Sequence, residues 1–242
     1  MRGLLLGAAL LLGGCTMARM DGFDAIAPAQ GERLDLSGIP LWENGSFRLG
    51  LSQGHVRRRD IGATREWSDD PWGELSAAVI ERTGTIAFDL AGPEVGGRIE
   101  GRCRYGRVEG EVRGGILTSG TVLRPLRLAC AYRLDGRDAG GMDLAALLPV
   151  EPTVAEPRLG TIELDGTELT LRSSHRIAGV RSPTGTPIGY FVDRADGQTV
   201  GAIETNGLGN RRLIVPQATG ERRAAIAAMV TLALFRDPGD TD

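Results

Sequence analysis

The sequence predicts a mainly β fold, built as an antiparallel sandwich or as barrel-like sheets, with one buried apolar α-helix at the C-terminus. Short segments beyond Leu41 alternate apolar and polar residues, which is typical of strands with one buried face. Residues 224–235 contain a single polar residue, Thr231, and therefore predict a helix that is covered on every side. Dipeptides that favour tight turns separate the strand-like segments at Asp135-Gly136, Asp165-Gly166, Asp196-Gly197 and Asn206-Gly207.

The N-terminus has the pattern of a secretion signal. Arg2 precedes an apolar run of about nine residues, far shorter than the roughly 20 that span a bilayer. Residues 12–15 read Leu-Gly-Gly-Cys and resemble the lipobox of bacterial lipoproteins, in which a branched apolar residue and two small residues precede a cysteine. An ordinary signal peptide with a chance cysteine is the alternative interpretation.

The lipobox resemblance implies a location and an anchor. In that class the signal peptide, here residues 1–14, is removed, diacylglycerol joins the sulfur of the cysteine, here Cys15, and the new amine is acylated, typically with palmitate. An Asp directly after the cysteine often marks inner-membrane retention, and Thr16 stands there instead. We therefore expect a protein anchored in the outer membrane and facing the periplasm. The resemblance covers residues 1–16 and implies nothing about activity.

The composition of the remaining chain suggests four segments. Residues 15–40 are predicted to be the lipidated N-terminus and a tether, or in part an added strand. Residues 41–148 form a β-rich region, and residues 159–242 form β-hairpins followed by the helix. Between them, residues 149–158 contain three prolines and separate either two β domains or two halves of one.

Two cysteines in the β-rich region predict a disulfide bond. Ile99, Cys103 and Tyr105 share one face of a strand, and Cys130 shares a face with the apolar residues of segment 126–134. Both thiols therefore point inward from strands that can be neighbours, in a compartment that favours oxidation. Two buried free thiols and a redox pair are the alternatives, although neither cysteine has a nearby His or a C-x-x-C partner.

The composition excludes several kinds of chemistry. All 28 basic residues are arginines, so there is no lysine for a Schiff base, for general-base catalysis or for a Walker-type phosphate loop. Only His55 and His175 are present, which excludes a histidine-rich metal site. The formal net charge of -3 gives no overall attraction to nucleic acid. No cofactor, metal or nucleic-acid partner is predicted.

Two short segments carry residue types that occur in active or binding sites. Residues 173–175, Ser-Ser-His, contain a nucleophile and a base, but a solvent-facing strand end is the preferred interpretation. Trp67 and Trp72 flank the acidic pair 69–70, which is compatible with a sugar-binding platform or with a loop anchored by aromatic side chains.

The densest basic cluster is Arg57, Arg58 and Arg59. Arginine binds phosphate groups bidentately, so this cluster could contact lipid headgroups. Asp60 and Glu66 lie close by in the sequence and favour a solvated strand instead. We keep these three arginines, with Trp67 and Trp72, as weak candidates for surface binding.

Three arrangements can bury the C-terminal helix: it can pack across an open sheet, pass through a barrel or lie in a membrane interface. Its 12 residues 224–235 span about 18 Å, too short to cross a bilayer, and no basic face accompanies them. A helix through a barrel is similar in layout to the tubby, LURP-one and phospholipid scramblase architecture. No residue motif of those families occurs in this sequence, so the similarity concerns layout alone.

Three classes of function remain open at this point. The first is a non-catalytic binding or assembly protein of the bacterial envelope, attached to the membrane through Cys15 and acting on an envelope protein or lipid. The second is a periplasmic carrier of a lipid or other apolar ligand. The third is a hydrolase whose site is dispersed along the sequence.

Overall fold

A closed antiparallel β-barrel surrounds one helix in the computed structural model, which describes residues 18–26, 31–41, 44–67, 75–114, 117–148, 155–207 and 209–239. Cys15, Trp72 and the acidic pair 69–70 lie outside the described residues. The strands are β1 (Gly31–Ser37), β2 (Asn44–Leu49), β3 (Ser52–Trp67), β4 (Leu75–Gly92), β5 (Gly97–Gly114), β6 (Leu117–Leu134), β7 (Arg137–Ala146), β8 (Arg158–Leu164), β9 (Thr167–Ser174), β10 (Gly189–Asp193), β11 (Thr199–Glu204) and β12 (Arg211–Pro216). The helix α1 (Thr219–Leu234) follows, and a short 3-10 turn covers Phe23–Ala25.

Strands adjacent in the sequence are adjacent in the barrel, because short turns connect most of them. Asp135 and Asp165 adopt positive φ values of 48° and 51°, and the glycines that follow them adopt 82° and 77°. This geometry belongs to the tight turns that match the twist of a hairpin. The barrel then closes by pairing of β1 with β12, where Leu34 lies opposite Leu213. The predicted antiparallel, barrel-like fold is confirmed.

The proline-rich connection does not separate two sheets. β7 and β8 pair across it, with Met142 opposite Ile162, so strands from both sides share one barrel. Within residues 15–40, predicted as a tether or in part as an added strand, residues 31–37 form the strand β1, and Met20 and Phe23 are buried against the outer face of β10–β12.

α1 fills the interior of the barrel. Residues 224–234 are all buried, and the helix contacts β8, β9 and β12 as well as β5 on the far wall. Tyr132 of β6, which lies across the barrel from β12, hydrogen-bonds Thr231 at 2.8 Å. The helix therefore passes through a barrel, and neither an open sheet nor a membrane interface covers it. Five alanines allow its backbone to come close to the wall: Ala224, Ala225, Ala227, Ala228 and Ala233.

No helix in the described part of the chain is long and apolar enough to cross a membrane.

Four long strands, β3 to β6, extend beyond the rest of the barrel. Past Arg57 on β3 and before Arg127 on β6 they pair only with one another. The pairing of β5 with β6 shifts register between Gly106 and Glu109. This extension rises from the end of the barrel at which α1 finishes.

Candidate functional site

Four arginines face inward at the end of the barrel where α1 finishes. The interior face of each wall strand is marked by its buried apolar residues, and Arg58, Arg107, Arg158 and Arg211 continue that face on β3, β5, β8 and β12. Arg58 identifies the end, because its Nη1 donates a hydrogen bond to the carbonyl oxygen of Leu234 at 3.1 Å. We call these four residues the arginine ring.

Carboxylates neutralise two members of the ring. Arg107 contacts Glu109 at 2.7 Å and also Glu156. Burial lowers the pKa of Arg107, but the hydrogen bond and charge of Glu156 outweigh burial and raise it overall. Arg158 is 1% exposed and lies 2.5 Å from a carboxylate oxygen of Asp237, directly after α1. These pairs fix the chain beyond the helix against the barrel wall.

Arg58 contacts backbone oxygens. Its guanidinium donates to Leu234 and to the carbonyl oxygen of Pro40, so it binds the negative end of the helix dipole. Burial, and then the charge of Arg236, lower its pKa. The surface-binding prediction is therefore wrong for Arg58, which is 6% exposed and points into the barrel.

Arg211 is a member of the ring that no described carboxylate neutralises. Its Nη1 donates to the carbonyl oxygen of Asn210 at 3.0 Å, but among the residues that the structure describes no carboxylate forms an ion pair with it. Its Nε is buried and has no hydrogen-bond partner in that same part of the chain. Burial, and then the like charge of Arg58, lower its pKa. Among the residues that the structure describes, this end of the barrel thus carries surplus positive charge.

A cavity of about 550 Å³ lies beside Arg211 at the barrel end. Its charged lining consists of Arg158, Arg211, Arg236 and Asp237. Part of the cavity wall is apolar. The remaining lining residues are Thr186, Pro187, Ile188, Tyr190, Thr205, Asn206, Leu232 and Phe235.

Tyr105 and Asp60 support the rim of this end. The Tyr105 hydroxyl donates to Asp60, and burial followed by this carboxylate raises the pKa of Tyr105. Its ring packs edge-on against Phe235 with centroids 5.0 Å apart. Arg236 lies 3.5 Å from Asp60 on the other side. The segment after α1 is therefore held by aromatic and ionic contacts together.

A groove on the outer wall offers a different surface. It measures about 900 Å³ and crosses β6 to β9, with Leu159 exposed within it. Its arginines are matched, because Arg127 lies 3.5 Å from Asp143 and the Arg124 guanidinium contacts Glu81 at 2.9 Å. This groove has apolar surface without surplus charge, so it lacks the combination found at the barrel end.

His175 is buried, so the predicted solvent-facing strand end is wrong for residues 174–175. Its Nδ1 lies 2.9 Å from the carbonyl oxygen of Thr184 and must donate to it, which leaves Nε2 to accept from the Ser173 hydroxyl at 3.1 Å. Burial is the main cause that lowers the pKa of His175. The backbone N–H of Arg158 donates to the same serine hydroxyl at 2.8 Å. A serine and a histidine are in contact, but no carboxylate of the described residues hydrogen-bonds the imidazole.

The other sequence candidates do not converge on this cavity. Arg57 and Arg59 are exposed on the outer face of β3, and Trp67 is 52% exposed at the end of that strand. Cys103 and Cys130 lie directly opposite each other on β5 and β6 and form a disulfide bond, as predicted. No group of residues able to hold a metal ion occurs in the described ranges.

No family model, curated protein or solved structure matches this chain. The function is therefore argued from the geometry of the molecule. Sequence reasoning missed the arginine ring, although a signal for it exists. Arg107 and Arg211 each continue an alternating apolar series, after Tyr105 and before Leu213 respectively, at positions that should face the core.

Proposed function

We propose that the protein is a non-catalytic binding protein of the bacterial envelope, anchored through lipidated Cys15, which binds a lipid or envelope protein at the barrel end that carries the arginine ring. The observation that carries this proposal is the surplus charge of Arg211 beside an open, partly apolar cavity. Buried charge without a partner is costly, and binding sites are a common reason to retain it.

Ala18, three residues after the proposed anchor in the sequence, lies beside the cavity. Asn206, at the rim of the cavity, donates a side-chain hydrogen bond to the carbonyl oxygen of Ala18. Cys15 precedes Ala18 by three residues, which span at most about 11 Å when fully extended. A lipid on Cys15 would hold this end of the barrel close to the bilayer surface.

The filled interior supports binding at the barrel end over transport inside the barrel. α1 occupies the space that a carrier of the barrel type would offer to an apolar ligand. If the protein is a carrier, its ligand would have to bind in the same cavity, where it would contact both arginine and apolar side chains.

The anchor is tested by changing Cys15 to Ala. We expect the variant to leave the membrane fraction and to lose palmitate labelling, whereas Thr16→Ala should keep both. Unchanged fractionation and labelling of the Cys15→Ala protein would contradict the anchor.

The binding surface is tested by photo-crosslinking in intact envelopes. A photoreactive side chain at Asn206, on the cavity rim, should give a defined adduct. The same group at Arg137, which is exposed beside the turn at the other end of the barrel, is the matched control. Equal labelling from both positions, or none from Asn206, would contradict a binding site at this end.

A hydrolase is the second candidate, and the contact between Ser173 and His175 favours it. The N–H that already bonds the serine hydroxyl, and the carbonyl rather than a carboxylate at Nδ1 of His175, argue against an activated nucleophile. A fluorophosphonate probe should therefore leave Ser173 unmodified. Labelling that disappears in Ser173→Ala would instead establish a reactive serine.

A further inference from the structure

We propose that the cavity at the barrel end binds an anionic amphiphile, a molecule with a phosphate or carboxylate group attached to a short apolar chain. The proposal deepens the binding role given above and rests on it, but it does not depend on the lipid at Cys15. Two features of one cavity support this proposal: an arginine without a described carboxylate partner, and a partly apolar wall.

The anionic group follows from the charges. Arg158 is matched by Asp237, and Arg236 lies against Asp60, so each of these cations already has a carboxylate close by. Arg211 has none among the described residues, and its Nε has no hydrogen-bond partner there. Arg211 also lines the cavity, so an anion bound there would neutralise its guanidinium. Guanidinium groups bind phosphate and carboxylate through paired hydrogen bonds, which makes these two groups the natural ligands.

The apolar chain follows from the opposite wall. Ile188, Leu232 and Phe235 line the same cavity, and a free inorganic ion would leave their remaining exposed apolar surface uncovered. Burial of a short alkyl chain against them contributes roughly 0.8 kcal/mol per methylene group. The volume of about 550 Å³ lies within the range of small-molecule sites and exceeds what a single oxyanion needs.

Two sources can supply this chemistry. The ligand can be a lipid of the bilayer, whose headgroup would reach Arg211 from the membrane side, or a free amphiphile in the periplasm. The acidic group and the apolar chain are common to both, so the first experiment uses a soluble probe and the second uses vesicles.

The first experiment measures binding of hexyl phosphate to the Cys15→Ala protein by calorimetry and by thermal unfolding. We expect hexyl phosphate to bind and to raise Tm, while inorganic phosphate and hexanol each bind at least about tenfold more weakly. Arg211→Gln should weaken hexyl phosphate binding by about 10- to 100-fold, which corresponds to the loss of a charge-assisted hydrogen bond. Arg137→Gln removes the same charge at the other end of the barrel and should leave binding unchanged.

The outcomes separate a binding residue from a structural one. The Arg211→Gln protein should unfold at or above the wild-type Tm without ligand and show no shift with ligand, whereas a residue needed for the fold would lower Tm. Unchanged affinity in Arg211→Gln, or equal affinity for hexyl phosphate and hexanol, would overturn the proposal. So would binding that appears only after residues 240–242 are removed, because the chain's own acidic C-terminus would then be the occupant.

The second experiment identifies the source. Flotation of the Cys15→Ala protein with phosphatidylglycerol vesicles but not with phosphatidylcholine vesicles, lost in Arg211→Gln, would indicate a bilayer lipid. Hexyl phosphate binding without flotation would indicate a free amphiphile. If hexyl phosphate fails to bind while crosslinking from Asn206 still yields a protein adduct, the amphiphile is wrong and the proposed binding function stands.

Discussion

At the end of the barrel where α1 begins, each arginine of the first helical turns meets a carboxylate, whereas at the end where α1 finishes Arg211 meets none among the described residues. Arg222 contacts Glu94 at 2.6 Å and Glu32 at 2.8 Å, and Arg223 lies 3.9 Å from Asp165. These pairs join the helix to the strands and turns around it. The charges at the end where α1 begins hold the barrel together, whereas the charges at the end where α1 finishes exceed what the fold requires.

The helix dipole explains part of the difference. Unpaired carbonyls at the end of α1 favour cations, and Arg58 donates to one of them at Leu234. At the beginning of the helix the free N–H groups favour anions, and Glu221 lies in the first turn. The dipole thus accounts for Arg58 but not for Arg211, whose guanidinium contacts Asn210 on its own strand.

The largest expected effect comes from Arg158. Arg158→Met leaves Asp237 buried without its cation, whereas Glu156 keeps its contact with Arg107, and loss of one partner of a buried ion pair costs about 3 to 5 kcal/mol. The matched change at the other end, Arg222→Met, removes an arginine that is 16% exposed rather than 1%, and should cost about 1.5 to 3 kcal/mol. Urea unfolding measures both, and equal losses would remove the contrast between the two ends.

A smaller effect is expected midway between the ends, inside the barrel. The hydroxyl of Thr231 donates to the carbonyl of Ala227, so the Tyr132 hydroxyl must donate to Thr231. Thr231→Val leaves that buried hydroxyl with the sulfur of Met142 as its remaining neighbour, at a cost of about 1 to 3 kcal/mol. Tyr132→Phe should cost less, because Thr231 keeps its bond to Ala227. The reverse order in urea unfolding would contradict this hydrogen-bond direction.

His175, at the end of the barrel with the arginine ring, should make the stability of the protein depend on pH. Because the pKa of folded His175 lies below its ordinary value of 6.5, the unfolded chain binds a proton that the folded chain does not. Stability should therefore fall as pH drops below about 6.5, until the folded pKa is passed. His175→Gln should flatten this part of the profile, and His55→Gln should not. A profile that His175→Gln leaves unchanged would refute the assignment.

The smallest expected effect is at Arg211. Arg211→Met removes a charge that no described carboxylate neutralises, so the free energy of unfolding should stay the same or rise by up to about 2 kcal/mol. The measurement is urea unfolding of the Cys15→Ala protein with and without this change. A clear loss of stability would show that Arg211 serves the fold and would remove the contrast with Arg222.

Local patterns predicted much of the fold. Alternation predicted the buried faces of β5 and β6, so Cys103 and Cys130 could be matched before their strands were known to pair. The Asp-Gly dipeptides at 135–136 and 165–166 predicted hairpins, since few residues adopt positive φ without strain. These features depend on residues that are close in the sequence.

The candidate site could not be predicted in the same way. In β3, Arg57, Arg58 and Arg59 are consecutive, and the sequence alone does not say which of them faces inward. His175 likewise ends a strand with no apolar partner to mark its face. Their orientation depends on the pairing of whole strands and on where α1 ends.

The sequence by itself determined that the protein is mainly β, that two cysteines face the same interior and that an apolar helix must be enclosed. Only the tertiary structure decided that the enclosure is a barrel, because closure pairs β1 with β12 across most of the chain. It also decided which arginines point inward and that Arg211 faces no described carboxylate. Hydrophobic periodicity is a local property, whereas the matching of buried charges depends on residues that only folding brings together.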